Sequence, residues 1–284
     1  KDILEKKTGK KISIDGKAIK SATDKINNGN ISYIVSAFIG EIGLSIGEVK
    51  VDDKSNEITA IPELLDLLDI EGATITIDAI GTQEDIVNKI VNKGGHYVLP
   101  VKDNQRILKK EIKSQFDSYN NLLGNPEVFH KSTVDKDHGR IEEREYYLTY
   151  NTSKITDKEK WKTVNAVAYM RVTRTEQDET TITDNYYIID NKIEIDKLID
   201  AIRDHWNIEC GLHWRLDVIL DEDHSTNKVG NSIENLSIIR KIIFNLASLD
   251  NRFGKVPLQR KLTRYMLDFE NIEKLIFEVI PSIS

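Results

Sequence analysis

Apolar and polar residues alternate over Lys11–Ile19 (KISIDGKAI), a period of two that predicts a half-buried strand. Residues 33–39 (YIVSAFI) and 44–51 (LSIGEVKV) predict two more strands, joined by a glycine-containing turn at 40–43. Residues 58–68 carry a helical period behind Ser55, a good N-cap, with Pro62 early enough to be tolerated. The β-branched run 73–80 (ATITIDAI) predicts a buried strand. Thr82 is then expected to cap a helix to Val91, which Lys93-Gly94-Gly95 stops. Residues 96–101 predict a fifth strand and 105–116 another helix. The order β-β-β-α-β-α-β-α implies an α/β fold with a mixed sheet and helices on both faces. From about 126 to 190 the pattern turns to strands, at 142–149, 164–174 and 180–189. Helices return at 195–220, 232–249 and 272–279. With no internal repeat and no low-complexity linker, residues 1–284 are expected to form one domain, with 126–190 as a β-rich insertion within it.

Composition narrows the class. Charged residues make up 31% and hydrophobics 39%, ordinary for a globular chain. No apolar run approaches the roughly 18 residues of a membrane span, and no signal peptide opens the chain, so a cytoplasmic protein is expected. The single Cys210 rules out an internal disulfide framework and suits a reducing compartment. A net charge of −7 argues against nonspecific nucleic-acid binding, although a local basic face is compatible with it.

The chemistry concentrates at 202–217 (IRDHWNIECGLHWRLD). As one helix, this stretch lines up His205, Glu209, His213 and Asp217 at i, i+4 spacing, with Ile202, Trp206, Leu212 and Leu216 covering much of the remainder. A solvated polar stripe is the plain reading of such a helix. Two further carboxylates change the weighting. Asp15 lies in the first strand and Asp78 at the end of the fourth, each interrupting apolar residues where a charge needs a partner or a metal. Each alone reads as a strand-end turn residue. Together with Glu209 they form a set of hard oxygen ligands suited to Mg²⁺ or Mn²⁺. Two such ions roughly 3.5–4 Å apart would activate water and stabilise the leaving oxygen in phosphodiester cleavage.

The segments IDGK (14–17), SNEITAIPELLDLLDI (55–70), TIDAIGTQ (76–83), HGRIEER (138–144), HWNIECGLHWRLDVILDED (205–223) and GNSIENLSIIRKIIFNL (230–246) resemble the H-repeat-associated insertion-sequence transposases of the DDE superfamily. The resemblance runs along nearly the whole chain. It implies a ribonuclease H-like fold and a DNA transposase catalytic domain with Asp15, Asp78 and Glu209 as catalytic, metal-binding residues. Such an enzyme cleaves the DNA strand at the element end and joins the freed 3′-OH to target DNA, and it acts as a multimer, expected here as a homodimer on double-stranded DNA in the bacterial cytoplasm, associated with the nucleoid. The chain departs from the pattern at three places. His205 and Leu216 stand where related enzymes carry arginine and lysine, Asp103 stands where glycine is usual, and only 14 residues precede Asp15 where a helical end-recognition segment is expected.

Candidates for DNA phosphates are Lys17, Lys54, Lys102, Arg140 and Arg144, with His205 and His213 as phosphate contacts or as groups that orient Glu209. Each is also readable as a solvated charge or, for the histidines, a core-edge hydrogen bonder. A single zinc held by His205 and His213 is improbable, since eight residues at about 1.5 Å rise set them about 12 Å apart. Trp206 and Trp214 are expected in the core, Cys210 as a small buried residue, and Asp221-Glu222-Asp223 on the surface at a helix end. The rival readings are an inactive or repurposed transposase remnant and a metal-dependent nuclease on the same fold.

Overall fold

The computed structural model describes residues 9–19, 32–51, 56–119, 122–137, 139–177, 179–225 and 231–279; Lys54, Ser55 and His138 lie outside them. The chain divides into two compact units, one built from Lys1–Ala73 with Asp204–Ser284, the other from Thr74–Arg203.

In the first unit, β1 (Lys11–Ile19), β2 (Ser32–Ile39) and β3 (Leu44–Val51) form an antiparallel meander with β2 in the middle. The register sets Asp15 opposite Ser36 and Lys17 opposite Ile34. Helix α1 (Glu57–Leu67) lies on β2 and β3 and buries Ala60, Ile61, Leu64 and Leu65. Its cap is Asn56, whose side chain accepts from the Ile58 amide at 3.0 Å. Pro62 sits inside this helix rather than in its first turn, so it removes one backbone donor there.

The second unit holds a mixed sheet. β4 (Thr74–Ile77) runs parallel to β5 (His96–Val101) through the crossover helix α2 (Glu84–Asn92), and helix α3 (Arg106–Asp117) follows β5. β6 (Phe129–Asp137), β7 (Arg140–Thr149), β8 (Ala166–Glu176) and β9 (Glu179–Ile189) continue as an antiparallel meander that joins β5 through β9. One face is packed by Leu198, Ile199, Ala201 and Ile202 of helix α4 (Ile195–Asn207), the element within which the division between units falls. On the other face Tyr147, Tyr169 and Tyr186 stack in a row at ring spacings of 5.5 and 5.4 Å. The fold is thus α/β with a mixed sheet, and the first eight elements follow the expected order.

Several boundaries differ from the sequence reading. β4 stops at Ile77, because the Asp78 side chain accepts from the Ala79 amide and opens a 3₁₀ turn over Ala79–Gly81. Thr82 does not cap α2; its hydroxyl donates to the Pro100 carbonyl at 2.7 Å, and Gln83 occupies the cap position. β6 was not expected at all, since its residues are nearly all exposed and carry no alternation. The long helix expected over 195–220 is broken into α4, a π-helical turn at Ile208–His213 and α5 (Trp214–Val218). After α6 (Ser232–Leu249) come α7 (Leu258–Leu267), absent from the sequence reading, and α8 (Phe269–Lys274) with a second π turn at Leu275–Val279. No helix among the described residues is long and apolar enough to cross a membrane.

Candidate active site

β1 alternates its side chains, so Asp15 and Lys17 share one face and Gly16 takes the other. A Cβ on Gly16 would meet the Glu57 carboxylate, the mobile end of a long side chain. β1 and β2 lie against the π-helical turn Ile208–His213. That turn is anchored by Ile208 and Leu212, which pack with Phe38, Leu216 and Phe244 in one apolar cluster. Its wider winding is visible in the Trp214 amide, which donates to the Glu209 carbonyl five residues back. The even i, i+4 stripe expected over His205, Glu209, His213 and Asp217 is therefore re-aimed by the π turn.

His213 turns inward. Its side chain is 12% exposed, and Nδ1 stands 3.5 Å from Oδ2 of Asp15. Burial, reinforced by the Lys17, Lys241 and His205 charges, drives its pKa down to about 3, so the ring is neutral near neutral pH. Its Nε2 is buried with no hydrogen-bond partner among the described residues. Lys17 is enclosed as well. It bonds Asp217, donates to Oε2 of Glu222 at 2.6 Å, and lies 3.8 Å from Asp223. Burial, with help from Asp223 and Glu222, raises the Asp217 carboxyl above its ordinary value although Lys17 pulls it down. Glu222 is 2% exposed, which corrects the expectation of a surface cluster at Asp221-Glu222-Asp223. Glu209 is exposed on the π turn, and no hydrogen bond or ion pair reaches its side chain among the described residues.

In the second unit, parallel pairing of β4 and β5 sets their C-terminal ends side by side. Asp78 leaves one end and Lys102 the other, and they meet at 2.9 Å. Asn104 braces the turn by donating to the Ala79 carbonyl at 2.6 Å. Both charged side chains are half or more exposed, so their attraction contributes little to stability.

The remaining candidates are placed as follows. Arg144 is committed to Asp135 and Glu142, and Arg140 lies 3.7 Å from Glu142, which also receives Arg174. His205 is half-buried near the end of α4. Trp206 and Trp214 are 63% and 54% exposed, so they are not core residues, and Cys210 is exposed rather than buried. The turn directs Ile208 and Leu212 inward in their place. Among the described residues, no three His, Cys, Asp or Glu side chains are gathered as a metal ion would require. Sequence reasoning missed the partners of Lys17, since nothing local ties a lysine on β1 to acids about 200 residues away.

The chain matches the transposase DDE domain family over residues 8–246. It is 38% identical over 262 residues to "H repeat-associated putative transposase YhhI" of Escherichia coli (strain K12), covering 90% of this chain and 68% of that protein. It is 38% identical over 272 residues to "Putative transposase YncI" of Escherichia coli O157:H7, covering 94% and 69%. A solved S-adenosylmethionine-dependent methyltransferase from Clostridium acetobutylicum superposes with a TM-score of 0.15 and 10% identity over 49% of this chain and 48% of its own, a likeness that carries no argument.

Proposed function

The chain belongs to the transposase DDE domain family, and on that premise we propose that it is a polynucleotidyl transferase acting on insertion-sequence ends. In this reading the fold is the ribonuclease H-like kind, and Asp15, Asp78 and Glu209 are the carboxylates that hold one or two Mg²⁺ or Mn²⁺ ions. By type, the donors suit such ions. All three are hard oxygen ligands, Glu209 is exposed with no competing partner among the described residues, and the Asp15 side chain keeps 20% of its surface open. When bound, such ions supply an activated water and charge neutralisation at the leaving oxygen.

The chain's own residues provide the positioning. β1 lies against the turn that carries Glu209, with Asp15 close to His213 of that turn, and this contact within one unit is the observation that supports the reading. Asp78 is pre-aimed by the Ala79 amide and balanced by Lys102 until substrate and metal compete for it. Double-stranded DNA is the substrate, bound by a homodimer in the bacterial cytoplasm and at the nucleoid. Lys102 and Arg140 are the phosphate contacts with exposed surface to offer; His205 and Lys54 are carried as further candidates, whereas Arg144, Lys17 and His213 are engaged with carboxylates.

The test is a nicking and strand-joining assay on duplex DNA carrying element ends, with Mg²⁺ or Mn²⁺. Asp78→Ala and Glu209→Ala should each lower the rate on the order of 10³-fold or more while leaving the fold intact. Cleavage without joining would favour the nuclease reading. Well-folded protein inert with either metal would favour the remnant.

A further inference from the structure

We infer that His213 is a positioning residue that holds the Asp15 carboxylate in its ligating orientation; this rests on the reading of Asp15 as a metal ligand. Three observations meet at this side chain. Its Nδ1 is 3.5 Å from Oδ2 of Asp15, longer than an ordinary hydrogen bond. Contacts of this kind are often long without ligand and tighten when the site is loaded. The ring is nearly enclosed, and its other nitrogen, Nε2, is buried with nothing to bond among the described residues. Finally, the residue closes the π turn on which Glu209 rides, so one backbone element carries both a proposed ligand and the group that steadies another.

The tautomer follows from these contacts. A proton on Nε2 would be a buried donor with no acceptor among the described residues, and the bare lone pair of Nδ1 would then face a carboxylate. The alternative puts the proton on Nδ1, where it faces Asp15, and leaves on Nε2 only an unmet acceptor, the cheaper defect. The assignment is inferred from the network, as it must be for any imidazole. Once the contact tightens, an Nδ1–H donor would occupy one lone pair of Oδ2 and restrict the carboxylate's rotation about its Cα–Cβ and Cβ–Cγ bonds. Partners of this type around metal ligands typically govern affinity by 10–100-fold.

Lys17 works in the same direction from two residues along the strand. Its bonds to Asp217 and Glu222 tie β1 to the chain that follows the π turn, which keeps the Asp15–His213 separation from drifting. His213 thus adjusts an orientation within a frame that other contacts already fix.

The experiment measures Mn²⁺ binding to the intact chain by electron paramagnetic resonance, alongside thermal unfolding, for the wild type, His213→Phe and His213→Asn. Asn carries an amide N–H that can reach the place of Nδ1–H, whereas Phe fills the same space with no donor. The expected result is Mn²⁺ affinity reduced roughly 10–100-fold in His213→Phe and restored to within a few-fold in His213→Asn, with both unfolding at temperatures close to each other. Equal Mn²⁺ affinity in the wild type and His213→Phe would overturn the inference while leaving the metal-site reading standing. Equal losses in both variants would also overturn it, since they would mark a packing role. A wild type that binds no Mn²⁺, and that Asp15→Asn leaves unchanged, would instead remove the metal-ligand reading on which the inference rests.

Discussion

Asp250 shows how a single buried charge is made tolerable in this chain. It follows α6, is 0% exposed, and accepts from Nε of Arg252 at 2.9 Å, Nη2 of Arg252 at 2.7 Å and the Tyr265 hydroxyl at 2.7 Å. Burial alone would raise its pKa, but these donors outweigh it and hold the carboxyl at about 2. A folded pKa below the unfolded value of 3.8 means stability that is present above about pH 4 and lost as pH falls through about 2. Urea unfolding should therefore find Asp250→Asn less stable than wild type by about 2 kcal/mol at pH 7, with the gap narrowing towards pH 2. A gap equal at both ends of that range would show that the ion pair is not the source. At this scale, legibility depended on contrast with the neighbours. Asp15 and Asp78 stood out because each breaks an apolar run. Lys17 read as a phosphate contact or a solvated charge and Glu222 as a surface acid, because their burial comes from distant elements. Trp206 and Trp214 misled because their size suggested a core role, whereas both are exposed.

Among elements, those with a clean period were readable and those ended by side-chain chemistry were not. β3, β5 and α6 match their expected bounds, since alternation or helical spacing runs through them to a turn or cap. β4 ends early because a side chain claims the backbone amide, and a π turn has no signature of its own in an apolar–polar pattern. The 3₁₀ turn after β4 makes a specific demand. A Cβ on Gly81 would run into the side chain of Ile77, the last residue of the strand. Gly81→Ala should thus cost roughly 1–3 kcal/mol in chemical denaturation, as overpacking does, and should lower any activity that needs Asp78 in place. Unchanged stability would indicate that Ile77 can yield without cost.

For the whole molecule, the connectivity of the two units is the main consequence of the fold. One is a continuous stretch, Thr74–Arg203, with its own apolar cluster around Tyr146, Leu148, Ala168 and Ile189, whereas the other combines the two flanking segments. The fragment 74–203 should express as a folded protein with dispersed amide resonances, and 1–73 alone should not fold; a disordered 74–203 would mean that its cluster needs the rest of the chain. None of this division was legible in the sequence, where uninterrupted patterning and the absence of a linker pointed to one domain. The same arrangement has a consequence in time. β1 leaves the ribosome long before the turn that it faces, and at about 5–20 residues per second the roughly 200 residues between Asp15 and Glu209 take roughly 10–40 s to make. Through that interval the strand carries its aspartate and lysine without the histidine and acids that later enclose them. The enclosure of Lys17 and the approach of His213 to Asp15 therefore exist only once a much later stretch of the chain has been made.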